Sequence, residues 1–164
     1  MYHLLSVAAM AKIIAAKASH PLGQTGMMKS LGGVRMFNLD NYLKRPDALS
    51  LDQALAIYNQ IPYEQAQNDG DFKELWQDII DAALDYVPIR VRWNDQNTQE
   101  RAAVDAGRTR RHNAFISSLK ILNRYTATHY DAEWLSQLGT PVTDRKRIGD
   151  FAGYIVLFGV LKGR

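Results

Sequence analysis

The sequence predicts a mainly α-helical fold, a small bundle of about five helices in one domain. Three observations carry that expectation. Phe72, Leu75, Trp76, Ile79, Ala83, Leu84 and Val87 recur at three- and four-residue spacing, which is the period of a helix with one buried face. Ser50-Leu51-Asp52-Gln53 places a hydroxyl three residues before a glutamine, the capping-box pattern of a helix start. The apolar run 151–161 is eleven residues long, too short to cross a bilayer and suited to a buried helix.

Taken in order, the chain opens on a head without acids. Residues 1–35 contain no Asp or Glu, and all seventeen acids lie beyond Met36. Gly32-Gly33 stands just upstream of Met36, as an in-frame translation of a purine-rich ribosome-binding site would read. We therefore expect 1–35 to be a translated leader, or a peripheral amphipathic helix, and 36–164 to be the helical domain. Lys12 and Lys17 interrupt the apolar stretch Leu4–Ala18, unlike a secretory signal with its charge first.

After the cap at Ser50, Leu51, Leu55 and Tyr58 define a first helix that ends before Pro62. Asn68-Asp69-Gly70-Asp71 is a turn opening the second helix, which Pro88 is expected to stop. Residues 87–93 then alternate apolar and polar side chains, the period of an extended segment. Asn94–Asn97 reads as a turn and Thr98–Tyr125 as a long helix. Asp131–Leu138 is a short helix stopped by Gly139. Thr143 is placed to cap a last helix running to about Leu161. The first and second glycines of Gly149-Asp150-Phe151-Ala152-Gly153 share one side of that helix, with Gly159 extending the row, so close packing is expected there.

About 130 residues bury roughly two-thirds of the unfolded surface on folding. There is no cysteine, which excludes disulfides, thiolate metal sites and cysteine nucleophiles. Twenty Lys and Arg against seventeen acids give a basic chain, with a pI near 9.2. Lys12, Lys17, Lys29 and Arg35 all lie in the head, so from Met36 onward sixteen cations face seventeen acids. The body is nearly neutral, and its overall charge gives no argument for a polyanionic partner.

The charged residues of interest sit on the two longest helices. Val104, Phe115, Leu119 and Leu122 share a face of the long helix; Arg108 and Arg111 project onto it and His112 lies at its edge. Arg110 points the other way. Arginines on a core-facing stripe need a carboxylate or a bound anion, because an unpaired buried charge is costly. Asp144, at the start of the last helix, is the expected partner of Arg111 or Arg108. Arg145, Lys146 and Arg147 form a second basic cluster in that helix's first turn, where a nucleic-acid phosphate could approach.

Catalytic signals are weak. His112 and His129 stand in no HExxH arrangement, so no metal site is expected. The turn at Asp69 is not a calcium loop, because Gln65, Gln67 and Trp76 occupy liganding positions. There is no phosphate-cradling glycine loop and no nucleophile elbow, and no cofactor is expected.

Arg111-His112-Asn113, Leu122-Asn123-Arg124, Asp144-Arg145 and Asp150-Phe151-Ala152-Gly153 together resemble a small uncharacterised family of Gram-positive bacterial proteins, over roughly residues 70–160. The resemblance implies a helical fold and brings no activity with it. The resulting expectation is a cytoplasmic binding, regulatory or immunity-type protein that acts through contacts with a protein partner or a second copy of itself, with no membrane span. The first alternative is an anion- or small-molecule-binding protein, or an enzyme, using Arg108, Arg111, His112 and Asp144. The second is a DNA-binding regulator using Arg145, Lys146 and Arg147.

Overall fold

Helical periodicity turns into helices along almost the whole of the body. The computed structural model describes Leu39, residues 41–140 and residues 143–161, and among these every regular element is helical. The expectations for residues 1–35 and for the packing at Gly159 lie outside what is described. A helical turn at 41–43 is followed by α1 (Leu51–Tyr58), α2 (Gly70–Asp95), α3 (Thr98–Tyr130), a 3-10 turn at Leu135–Leu138 and α4 (Arg145–Leu161).

The predicted capping box forms. Ser50 accepts the Gln53 N–H while the Gln53 side chain accepts the Ser50 N–H, closing the capping box of α1. Asp69 caps α2 by accepting the Phe72 N–H at 3.1 Å, and the same carboxylate accepts the Tyr130 and Tyr125 hydroxyls at 2.6 and 2.7 Å. These hydrogen bonds, Tyr130's first, hold Asp69 down at about 2. The folded state prefers its charged form, so this contribution is complete above the ordinary carboxylate range and fades as pH falls towards 2.

The extended segment predicted at 87–93 is instead the last part of α2, which runs through Pro88 to Asp95. Tyr86, Val87 and Val91 are buried and Arg90 nearly so, which is a helical stripe continuing from Ile79, Ile80 and Ala83. Burial along that stripe outweighs both the local alternation and the missing proline N–H, which leaves the Leu84 carbonyl without its helical donor. Pro88→Ala restores the donor and should raise the free energy of unfolding by about 1 kcal/mol or more, read from the urea midpoint. A lower midpoint would mean that Pro88 stabilises through its packing.

Gln96 and Asn97 alone join α2 to α3, and Asn97 forms a second capping box with Glu100. The two helices lie antiparallel: Arg101 donates to the Trp93 carbonyl, Tyr86 meets His112, and Phe72 meets Tyr130 at the far end. At 33 residues, α3 continues five residues past the expected Tyr125. It ends at Asp131 in the left-handed conformation, with the Ala132 N–H closing back on the Thr126 carbonyl. The following loop is pinned by Asn123, whose side-chain oxygen accepts the Trp134 and Leu135 N–H groups, and by Thr126, which accepts the indole N–H of the fully buried Trp134.

Helix α4 is buried on every side from Ile148 to Phe158, and it packs chiefly against α2. That all-round burial makes it the central helix, and among its described side chains those of the first turn, Arg145–Arg147, reach solvent. Its glycines admit side chains rather than a helix backbone. A Cβ on Gly153 would lie 3.1 Å from Leu43 and 3.3 Å from Leu39, and one on Gly149 would collide with the guanidinium of Arg90. Among the described residues no helix is long and apolar enough to cross a membrane.

Candidate functional site

A lone acid inside the most deeply buried helix organises the site. Asp150 follows Gly149 on α4, is 1% exposed, and accepts hydrogen bonds from four residues. Its Oδ1 accepts the Tyr42 hydroxyl at 2.9 Å, Arg90 Nη2 at 3.0 Å and Arg45 Nη2 at 3.3 Å, while Oδ2 accepts the Leu49 N–H at 3.1 Å. The carboxylate thus ties α4 to α2 and to the segment preceding α1. Gly149 is required beside it, because the Arg90 side chain crosses α4 where a Cβ would stand.

From Arg90 the network continues outward. Its Nη1 donates to the Tyr86 hydroxyl at 2.8 Å and its Nη2 to the Lys146 carbonyl at 2.9 Å. The Tyr86 oxygen lies 2.8 Å from Nδ1 of His112 on α3. Burial by itself would lower Arg90, but Tyr86, Tyr42 and Asp150 more than offset it and hold the guanidinium above its ordinary value. Burial likewise pushes the Tyr42 phenol well up, so both groups keep their protons at any physiological pH.

Beside this network lies a cavity of about 310 Å³, lined by Arg45, Arg90, Arg108, Arg145, Lys146 and His112 together with Tyr42, Trp93 and Asn94. No carboxylate is among the lining residues. The acids paired with these cations lie outside the lining: Asp150 with Arg90 and Arg45, Asp47 with Arg45 and Lys146, and Asp105 with Arg108 at 3.2 Å. Arg108 lies over the Trp93 ring, 4.1 Å from its centre, and Arg45 over Tyr42 at 3.9 Å. Both rings therefore hold guanidinium planes in place. A smaller cavity of about 110 Å³ shares Tyr42 and Asn94 but is bounded by Asp95, and it lacks the cations.

Three nitrogens of the lining residues are buried without a hydrogen-bond partner: Nε of Arg90, Nε of Arg108 and Nε2 of His112. His112 is 2% exposed. Burial, followed by the fields of Arg145, Arg90 and Arg108, pushes it down to about 4, so it is neutral at pH 7. The folded value lies below the unfolded one, so this contribution is present above about pH 6.5 and is lost as pH falls through 4. The loss should approach about 3 kcal/mol at pH 4. Urea unfolding across pH 4–7.5 measures it; a His112→Gln variant should lack that part of the slope, and an unchanged slope would assign it to other groups.

The structure sorts the residues singled out in the sequence. Half-buried Arg108 and buried His112 lie one turn apart on α3, and they line the cavity with Arg145 and Lys146, which the sequence had suggested for a different role. Arg111 does not join them: its Nε lies 3.2 Å from Asp85 on α2. Asp144 pairs with neither arginine. Its carboxylate accepts the Thr140 N–H at 2.8 Å and the Thr143 hydroxyl at 2.9 Å, and it fills the space over Gly139, whose φ of 93° only glycine adopts readily. The Thr140 N–H, first among several contacts, holds Asp144 below its ordinary value. Thr143 thus donates to Asp144 instead of capping α4. Arg147 donates to the Gln137 carbonyl, away from the cavity.

Arg90, Arg45, Tyr42, Trp93 and Asp150 were missed. One signal for them was present: an aspartate at the head of an apolar run demands cationic or donor partners wherever the run is buried. No group of three or more metal-binding side chains occurs among the described residues. The lining residues bring four arginines and a lysine together with no carboxylate among them, so this arrangement is suited to holding negative charge. No protein-family model matches the chain, and neither a curated protein nor a solved structure does.

Proposed function

We propose that this protein binds a small anionic molecule in the cavity between α2, α3 and the first turn of α4. The supporting observation is the wall itself: five cationic side chains and a neutral histidine, with three buried nitrogens left without partners. Buried donors in folded proteins are nearly always satisfied, and a ligand that accepts hydrogen bonds satisfies these. The volume is at the lower end of small-molecule sites, which suits a compact ligand.

The reading of action through protein contacts has less to support it. Among the described residues Ile121, 53% exposed, is the one large apolar side chain on the surface, and stable partner surfaces present more than that. The basic first turn of α4 favours anions in general, but Arg145 and Lys146 line a half-open cavity and Arg147 donates to the Gln137 carbonyl, which leaves no long open stripe.

The experiment is a thermal-denaturation screen of the full chain against inorganic and organic anions at low salt. A ligand that binds the folded state alone raises Tm in proportion to the logarithm of its concentration. A rise with anions that disappears in Arg108→Gln supports the cavity. Equal rises in wild type and Arg108→Gln would reveal general salt effects and overturn it.

A further inference from the structure

The charge around the cavity is not balanced. Arg45, Arg90, Arg108, Arg145 and Lys146 bring five positive charges, and Asp150, Asp47 and Asp105 return three, so two positive charges remain without a counterpart. Arg145 meets only the neutral side chain of Asn113, at 3.3 Å. A monoanion would leave part of this excess, while a dianion cancels it.

His112 has a defined orientation towards such a ligand. Arg90 Nη1 occupies one acceptor position of the Tyr86 oxygen, so the phenolic hydrogen is free to point to His112 Nδ1, 2.8 Å away. Neutral imidazole that accepts at Nδ1 carries its hydrogen on Nε2. That nitrogen is buried without a partner, on a residue that lines the cavity. Asp150, Arg90, Tyr86 and His112 are thus one relay, in which each group fixes the hydrogen of the next.

Resting on the anion-binding reading above, we propose that the ligand is a compact tetrahedral dianion, a sulfate or phosphate-monoester group, and that His112 meets it as a neutral Nε2–H donor whose tautomer Tyr86 sets. The groups facing His112 are Tyr86 and Arg90 from α2, Arg108 from its own helix and Arg145 from α4, with Lys146, Arg45 and Tyr42 further round the same wall. All the charged ones are cations, which oppose a proton on the imidazole. A dianion cancels the excess of two charges and leaves no surplus negative charge to draw that proton in. Both aromatic rings of the wall already carry guanidinium groups, so the recognised part of the ligand is the oxyanion rather than an attached ring.

The test is calorimetric titration of the full chain with sulfate, methanesulfonate and methyl phosphate at pH 5.5, 6.5 and 8, each in two buffers of different ionisation enthalpy. Sulfate and methanesulfonate share a tetrahedral sulfur centre but differ by one charge. Sulfate should bind at least about tenfold more tightly. Its affinity should stay within about twofold across this range with no proton taken up, because neither ligand nor His112 titrates there. Methyl phosphate should tighten as pH rises through about 6, where its second proton leaves. His112→Phe should weaken sulfate binding about tenfold at every pH. Nitrogen NMR of the free protein should place the His112 proton on Nε2, and Tyr86→Phe should remove that preference.

Equal affinities for sulfate and methanesulfonate would overturn the dianion. Sulfate binding that strengthens towards pH 5.5 with proton uptake, or a hydrogen found on Nδ1, would overturn the neutral donor. Binding that Arg145→Gln and Arg108→Gln leave unchanged would mean an adventitious ion only. No binding by any of the three probes would remove this proposal and the cavity reading together, whereas binding with the wrong charge or pH preference removes this one alone.

Discussion

Asp150→Ala should destabilise the protein by about 3–5 kcal/mol, more than any other single polar substitution in the described residues. The carboxylate is buried and accepts from Tyr42, Arg90, Arg45 and the Leu49 N–H. Removing it strands Arg90 with its charge close to the core and leaves two neutral donors unsatisfied, and the cost is mainly that of the orphaned partners. Urea denaturation measures the effect, and the dependence on denaturant should keep its slope if only stability has changed. Arg90→Met in the Asp150→Ala background should recover a substantial part of the loss, since an apolar replacement for both partners avoids the orphaned charge. A loss below about 1 kcal/mol in the single variant would show that water reaches Asp150, and would detach the relay from the fold.

Arg145→Glu carries the largest expected effect on binding. Arg145 is exposed and donates to Asn113 alone, so stability should change by less than about 0.5 kcal/mol. The exchange reverses one of the two uncompensated charges at the cavity. Affinity for a dianion should fall about a hundredfold at low salt, equivalent to about 2.7 kcal/mol. The penalty should shrink at 0.5 M salt, where exposed charges are screened over a few ångströms. Arg110→Glu changes the chain's net charge equally but lies on the solvent side of α3, and it should alter affinity less than twofold. Matching losses in the two variants would mean that the protein attracts anions through its overall charge, without a site.

The two substitutions probe opposite ends of one network, and their effects should separate cleanly. Asp150 acts on the fold through Arg90, whereas Arg145 touches nothing that the core depends on. A protein in which both variants lost stability equally would have its first turn of α4 packed more tightly than its exposure indicates.

Much of the architecture was legible from local pattern. The capping box at Ser50, the apolar stripes of α2 and α3 and the buried character of α4 all depend on residues within one or two turns of each other, and helical periodicity reports that range directly. The same periodicity put Arg108 and His112 on the core face of α3. The pattern misled at 87–93, where a proline and five alternating residues imitated an edge strand. There the burial of Tyr86, Val87 and Val91 against α3 and α4 outweighed the local preference.

The partners of the charges were set at a longer range. An aspartate near the start of α4 was expected to meet an arginine of α3, but Asp144 closed its own loop, and Asp150, six residues on, took Arg90 and Arg45 instead. These contacts span 60 and 105 residues. Which of them forms depends on how deeply each carboxylate is buried and on which glycine leaves room for a guanidinium, and Gly149 is the one that does. Local spacing therefore determines which side chains face inward, because a helix imposes its period on its own residues. The packing of α2, α3 and α4 determines which inward charges cancel and which remain at the cavity wall, because that depends on distances no single helix contains.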